Sequence, residues 1–170
     1  MSKSIGKIFE QNWKESIPDN VFYYRPPDSA GSFGNTQNLR FSSKSPCDCF
    51  IFNGDILYTL ELKSVGTSSI SFEREKSEHG VIHKHQIESL TKFSLYDNVV
   101  SGFLLDFRLS DKTYFFGIND FNYMIQNINK KSFNEKDMFE WCSPIEIKKR
   151  KLNVNYRYDV IDFFNNIKLR

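Results

Sequence analysis

Cysteine is scarce: the chain has three, at positions 47, 49 and 142. An odd number leaves one unpaired in any disulfide framework, so reduced thiols are expected. Long apolar runs are absent too. The opening Met1-Ser2-Lys3-Ser4-Ile5-Gly6-Lys7 has no secretion-type apolar stretch, and nowhere do apolar residues accumulate to the roughly 20 that cross a bilayer. A soluble, intracellular protein is the expectation. Strong net charge is lacking as well: +2 overall does not by itself argue for a nucleic-acid partner. Positive charge is concentrated locally, at Lys148-Lys149-Arg150-Lys151 and around Arg25, Arg40 and Lys44. There are no internal repeats and no domain-sized linker.

What is present suits one packed domain of 170 residues, 39% apolar and 16% aromatic. Ile5, Ile8, Phe9, Trp13 and Ile17 recur at helical spacing behind Ser4 as N-cap, and Pro18 stops the pattern. This predicts a helix over 4–16. A short strand follows at 21–24, and then 25–46 turns rich in Pro, Ser, Gly and Asn without periodicity. A loop of that length is functional or disordered. Residues 49–52 and 56–62 are β-rich and flank Asn53-Gly54-Asp55, a strong hairpin signal. Further on, a helix is expected over 83–95, strands at 99–107 and 113–118 joined by Ser110-Asp111-Lys112, and a helix with Asp120 as N-cap. A weak strand at 145–147 and a closing helix carrying Val160, Ile161, Phe164 and Ile167 complete a mixed α/β fold, a central mixed β-sheet containing a hairpin and flanked by helices.

A two-residue Asn53-Gly54 turn would pair Phe52 with Asp55 and set Asp48 opposite Thr59. Glu61 and Lys63 share parity with Thr59, so Asp48, Glu61 and Lys63 emerge on one face, with Asp48 and Glu61 as diagonal neighbours roughly 7–8 Å apart. A three-residue turn would flip that parity. Two carboxylates so placed can hold one hard cation such as Mg²⁺, while the lysine attends the attacking water or the phosphate. The same residues would also suit an ordinary charged hairpin, since Glu-x-Lys is common in strands. Glu10 flanks the apolar face of the first helix and would be a solvated glutamate otherwise. Gln86 lies in the middle of the apolar face of the second helix, where a buried amide must find partners.

The ordered set Gly6-Lys7-x-Phe9-Glu10, Cys47-Asp48, Glu61-Leu62-Lys63, Ser71-Phe72 and His85-Gln86-Ile87-Glu88 resembles the RecU-type Holliday junction resolvases of the PD-(D/E)xK nuclease superfamily. Tyr114-Phe115, Pro144-Ile145 and Arg157-Tyr158-Asp159 extend the resemblance over nearly the whole chain. It implies a restriction-endonuclease-like core and a homodimer that cuts four-way DNA junctions with Mg²⁺ or Mn²⁺. By the same resemblance Asp48 and Glu61 are metal ligands, Lys63 is the catalytic lysine, and Glu10 and Gln86 support them. Cys47 stands where the superfamily has proline. The family's junction-entering stalk corresponds to about 25–45 here and is shortened, as in compact phage enzymes. Arg25, Phe33, Arg40, Lys44 and His85 are the DNA-contacting candidates. A restriction-type or repair endonuclease of the same superfamily, or a junction-binding protein without chemistry, would share most of these features. A zinc site from Cys47-x-Cys49 and His83-x-His85 has the spacing of no common zinc module, and strand alternation would turn both cysteines away from Asp48.

Overall fold

Two nine-residue strands, both rich in branched and aromatic side chains, occupy the middle of the protein. The computed structural model describes residues 4–27 and 45–168. In chain order they form α1 (Ile5–Lys14), β1 (Phe22–Tyr24), β2 (Cys49–Phe52), β3 (Leu57–Val65), β4 (Ser69–Ser71), α2 (Lys84–Phe93), β5 (Val99–Phe107) and β6 (Lys112–Gly117). Then come α3 (Ile118–Asn127), β7 (Ser132–Asn134), α4 (Glu135–Trp141), β8 (Ile145–Glu146), β9 (Lys149–Lys151), β10 (Tyr156–Tyr158) and α5 (Val160–Lys168). Six strands make one mixed sheet in the order β1-β2-β3-β5-β6-β8. Only β3 and β5 run parallel, from Leu57 opposite Val99 to Val65 opposite Phe107, and the connection between them carries β4 and α2. β4 pairs with β7, and β9 with β10, as separate ribbons. The expected mixed α/β architecture is therefore the observed one.

Because β3 and β5 sit between two layers of helices, both faces of each are buried, and period-two alternation sorts their side chains into two cores. Val65, Phe103, Leu105 and Phe107 face α2, α3 and α4, with Leu90, Phe121 and Met138. Tyr58, Leu60, Leu62 and Leu104 face α1 and α5, with Phe9, Trp13, Phe163 and Phe164. Gly102 allows β5 and β6 to approach closely: a Cβ there would lie 2.5 Å from the Phe116 carbonyl oxygen.

Several elements depart from expectation. The β2–β3 loop is longer than two residues, with Phe52 paired to Leu57, Ile51 to Tyr58 and Phe50 to Thr59. Asn53 Oδ1 accepts the backbone N–H groups of Asp55 and Ile56, and Gly54 takes a φ of 102°, so the asparagine side chain organises a wider turn. α3 begins straight from β6 with Gly117 as its N-cap, which puts Asp120 inside the first turn instead of before it. α1 ends at Lys14, before Pro18 is reached, and Ser4 occupies its N-cap without a side-chain cap bond. β4, β7, α4, β9 and β10 were not foreseen. No helix among the described residues is long and apolar enough to cross a membrane.

Candidate functional site

Asp48 stands where β2 leaves β3. Continuing the register by one residue sets it beside Glu61, but the ladder gives way here: the Asp48 N–H bonds to the Leu60 carbonyl at 3.1 Å. Its Oδ2 takes the Leu62 N–H at 2.8 Å. The carboxylate thus replaces a backbone acceptor and is fixed against β3. The pairing slipped by two residues from the expected register, and an even slip preserves parity, so Asp48 is a direct rather than a diagonal neighbour of Glu61.

Glu61 is buried at 3% exposure. Its Oε1 accepts from Lys63 Nζ at 2.9 Å and from Gln86 Nε2 in a short contact. The orientation of the Gln86 amide follows from its other end, where Oε1 accepts the His83 N–H at 2.9 Å and so turns the NH₂ group toward Glu61. Gln86 therefore joins the first turn of α2 to the carboxylate on β3, which is what a polar residue in an apolar helix face requires. Burial pushes the Glu61 carboxyl up from 4.5 to about 7, the Lys63 ammonium opposes this, and the neighbouring Asp48 adds to it. A second full negative charge beside Asp48 is poorly accommodated by the protein alone.

The supporting shell was not foreseen. Glu73, in the polar stretch after β3, accepts Gly80 N–H at 3.2 Å and Lys84 N–H at 2.9 Å and contacts His83 Nδ1 at 2.7 Å. These donors hold its carboxyl down at about 2. The carboxylate thereby caps α2, the helix that presents Gln86. Tyr23 is a second addition: burial and the nearby Cys49 push its phenol up, with Glu10 and Asp48 adding to the rise and Arg25 opposing it.

Of the remaining candidates, Glu10 forms a 3.0 Å ion pair with Arg25, on the α1 side of β1 and β2. His85 is half-buried and stacks on His83 with ring centroids 5.5 Å apart. Phe33, Arg40 and Lys44, with most of the stalk-like segment, lie outside the described residues. The zinc reading fails on geometry. Cys47 and Cys49 do not share a face, because Cys47 precedes the strand and packs in the α2 core while Cys49 packs in the α1 core. Burial, with Asp48 and Glu61 adding to it, pushes the Cys47 thiol up to about 12, and His83 is engaged by Glu73. All three cysteines are free thiols.

No family model matches the sequence. Among solved structures, Hjc of Archaeoglobus fulgidus, described as a Holliday junction resolvase from an archaeal hyperthermophile, is 16% identical. The match covers 81% of this chain and 90% of that one, with a TM-score of 0.45. The SPbeta prophage-derived uncharacterized protein YotM of Bacillus subtilis (strain 168) is 33% identical over 165 residues, 90% of this chain and 81% of that protein. The chain belongs to the same family as this prophage protein YotM.

Proposed function

We propose that the chain is a metal-dependent DNA endonuclease acting on branched DNA, four-way junctions above all, as a homodimer in a phage setting. The observation that carries the reading is the adjacency of Asp48 and Glu61 with Lys63 and Gln86 closed upon Glu61. The motif resemblance over nearly the whole chain, with its restriction-endonuclease-like core, and the prophage source of YotM point the same way.

Two adjacent carboxylates fit a hard divalent cation, because burial and the neighbouring Asp48 both disfavour an ionised Glu61 and a cation between them would offset both. Among the described residues no group of three or more His, Cys, Asp or Glu side chains could hold a metal. Mg²⁺ or Mn²⁺ keeps water and phosphate among its ligands and needs only one or two protein carboxylates, which Asp48 and Glu61 would provide. Bound there, the cation would supply Lewis acidity toward the scissile phosphate and favour hydroxide over water as nucleophile.

The chain's own groups do the rest. The Leu62 N–H orients the Asp48 carboxylate. Gln86 holds Glu61 in place and releases Lys63 from being its sole donor, so the ammonium, 16% exposed, can turn to a phosphate oxygen where negative charge develops. Arg25 is positioned by Glu10 for the DNA backbone, and His85, Phe33, Arg40 and Lys44 contribute further DNA contacts. Labelled four-way junctions and matched linear duplexes, incubated with Mg²⁺ or EDTA, test the proposal. Paired, Mg²⁺-dependent nicks in the junction support it. Equal cutting of linear duplex makes the chain a nuclease of another specificity, and binding without cutting makes it a junction-binding protein.

A further inference from the structure

On the opposite face of the sheet from Glu61, β3 and β5 carry a second polar group. Asp106 accepts hydroxyl hydrogen bonds from Ser64 at 2.8 Å and Thr113 at 3.0 Å. Lys149 Nζ lies 3.2 Å from Asp106 and 2.8 Å from Asp111, with the Tyr156 ring 4.6 Å away. One ammonium serves two carboxylates, and with the two hydroxyls it forms a fixed polar floor. Above it, α1 and the β9–β10 hairpin leave a cleft of about 370 Å³.

Two features distinguish this cleft. Asn12, in α1, is 3% exposed, yet its side-chain amide makes no hydrogen bond among the described residues. Trp13 Nε1 is the one buried side-chain polar atom there that is both unpartnered and fully enclosed, so the Asn12 amide keeps an opening, and the opening is the cleft it lines. A leucine would pack the same space without stranding an amide. The second feature is charge. Arg108 and Lys151 line the cleft, are exposed, and form no salt bridge with a described carboxylate. The Arg108 guanidinium lies against Gly66, where a Cβ would sit 2.3 Å from Nη2.

We propose that this cleft binds one unpaired nucleotide of DNA, its base hydrogen-bonded at its edge by the Asn12 amide and its phosphate held by Arg108 and Lys151. An amide offers the donor and acceptor that a base edge requires, and the volume falls in the range of small-ligand sites. Ser64 directly follows Lys63 on β3 and side chains alternate, so the cleft and the site proposed for cleavage lie on opposite faces of the same end of that strand. The inference rests on the nuclease reading and adds to it a means of sensing unpaired bases, which branch points expose.

The test is binding, in EDTA, of a duplex carrying one bulged 2-aminopurine against the same duplex fully paired, with wild type, Asn12→Leu and Arg108→Ala. Wild type should favour the bulged duplex by about tenfold, an ordinary contribution from one held base, with a change in 2-aminopurine fluorescence. Asn12→Leu should melt at the same or a higher temperature and lose that preference. Arg108→Ala, at an exposed position that leaves the fold intact, should lose much of it too. A preference retained in both variants, or absent in wild type, overturns the proposal. Junction cleavage in Mg²⁺, run in parallel, separates the two claims: cutting without bulge preference overturns the cleft alone, whereas neither cutting nor binding overturns both.

Discussion

Replacing Glu61 by glutamine should stabilise the metal-free protein above neutral pH. The native state holds the Glu61 proton more tightly than the unfolded chain does, since the carboxyl rises from 4.5 to about 7. Between those values the native state binds more protons, so stability falls as pH rises through the window and levels off above it. The full loss amounts to about 3 kcal/mol, at roughly 1.4 kcal/mol for each decade of proton affinity. Glu61→Gln removes the ionisation and keeps the shape, while the Lys63 attraction it forfeits is already counted in the net rise. The variant should therefore match wild type near pH 4.5 and exceed it by up to about 3 kcal/mol at pH 8, or about 6–12 °C in Tm for a chain of this size. Thermal and urea unfolding in EDTA at pH 5, 6, 7 and 8 measures this. Parallel pH profiles for the two proteins, or a less stable variant at pH 8, would refute the reasoning.

Glu73→Gln should act with the opposite sign. Glu73 is held down at about 2, so its stabilising effect is present above its ordinary 4.5 and is lost as pH falls toward 2. The variant should be less stable than wild type at pH 7, should approach it at pH 2, and should show faster amide exchange at Gly80 and Lys84. Phe121, fully buried against Phe72, Phe103, Phe116 and Phe133, should cost about 3–5 kcal/mol as Phe121→Ala, read by urea denaturation. Gly102→Ala should lower Tm sharply, because its Cβ would press on the Phe116 backbone as well as on the Phe115 ring; an unchanged Tm would contradict that packing.

The face shared by Asp48, Glu61 and Lys63 was legible because side-chain alternation survives any even slip in register, and the slip was two residues. Gln86 was legible as a polar residue in an apolar helix face. The wider turn was not, since it depends on Asn53 folding its side chain over Asp55 and Ile56. α4 has seven residues, too few for helical periodicity to register, although Asn134 and Asp137 form a capping box that spacing alone could have flagged. The Glu73 cap and the Ser64–Asp106 pair were invisible for a different reason: their partners come from other elements, 42 residues away in the second case. Local pattern carried the longer elements and one face of the site, while tertiary contact decided the short ribbons and the groups around the site.

Strand cleavage and binding of a labelled four-way junction in Mg²⁺, compared for wild type, Asp48→Ala and Lys63→Ala, test the central claim most directly. Paired cuts by wild type, lost in both variants while Lys63→Ala still binds the junction, are the predicted result. Undiminished cleavage by either variant would contradict a site built on Asp48, Glu61 and Lys63.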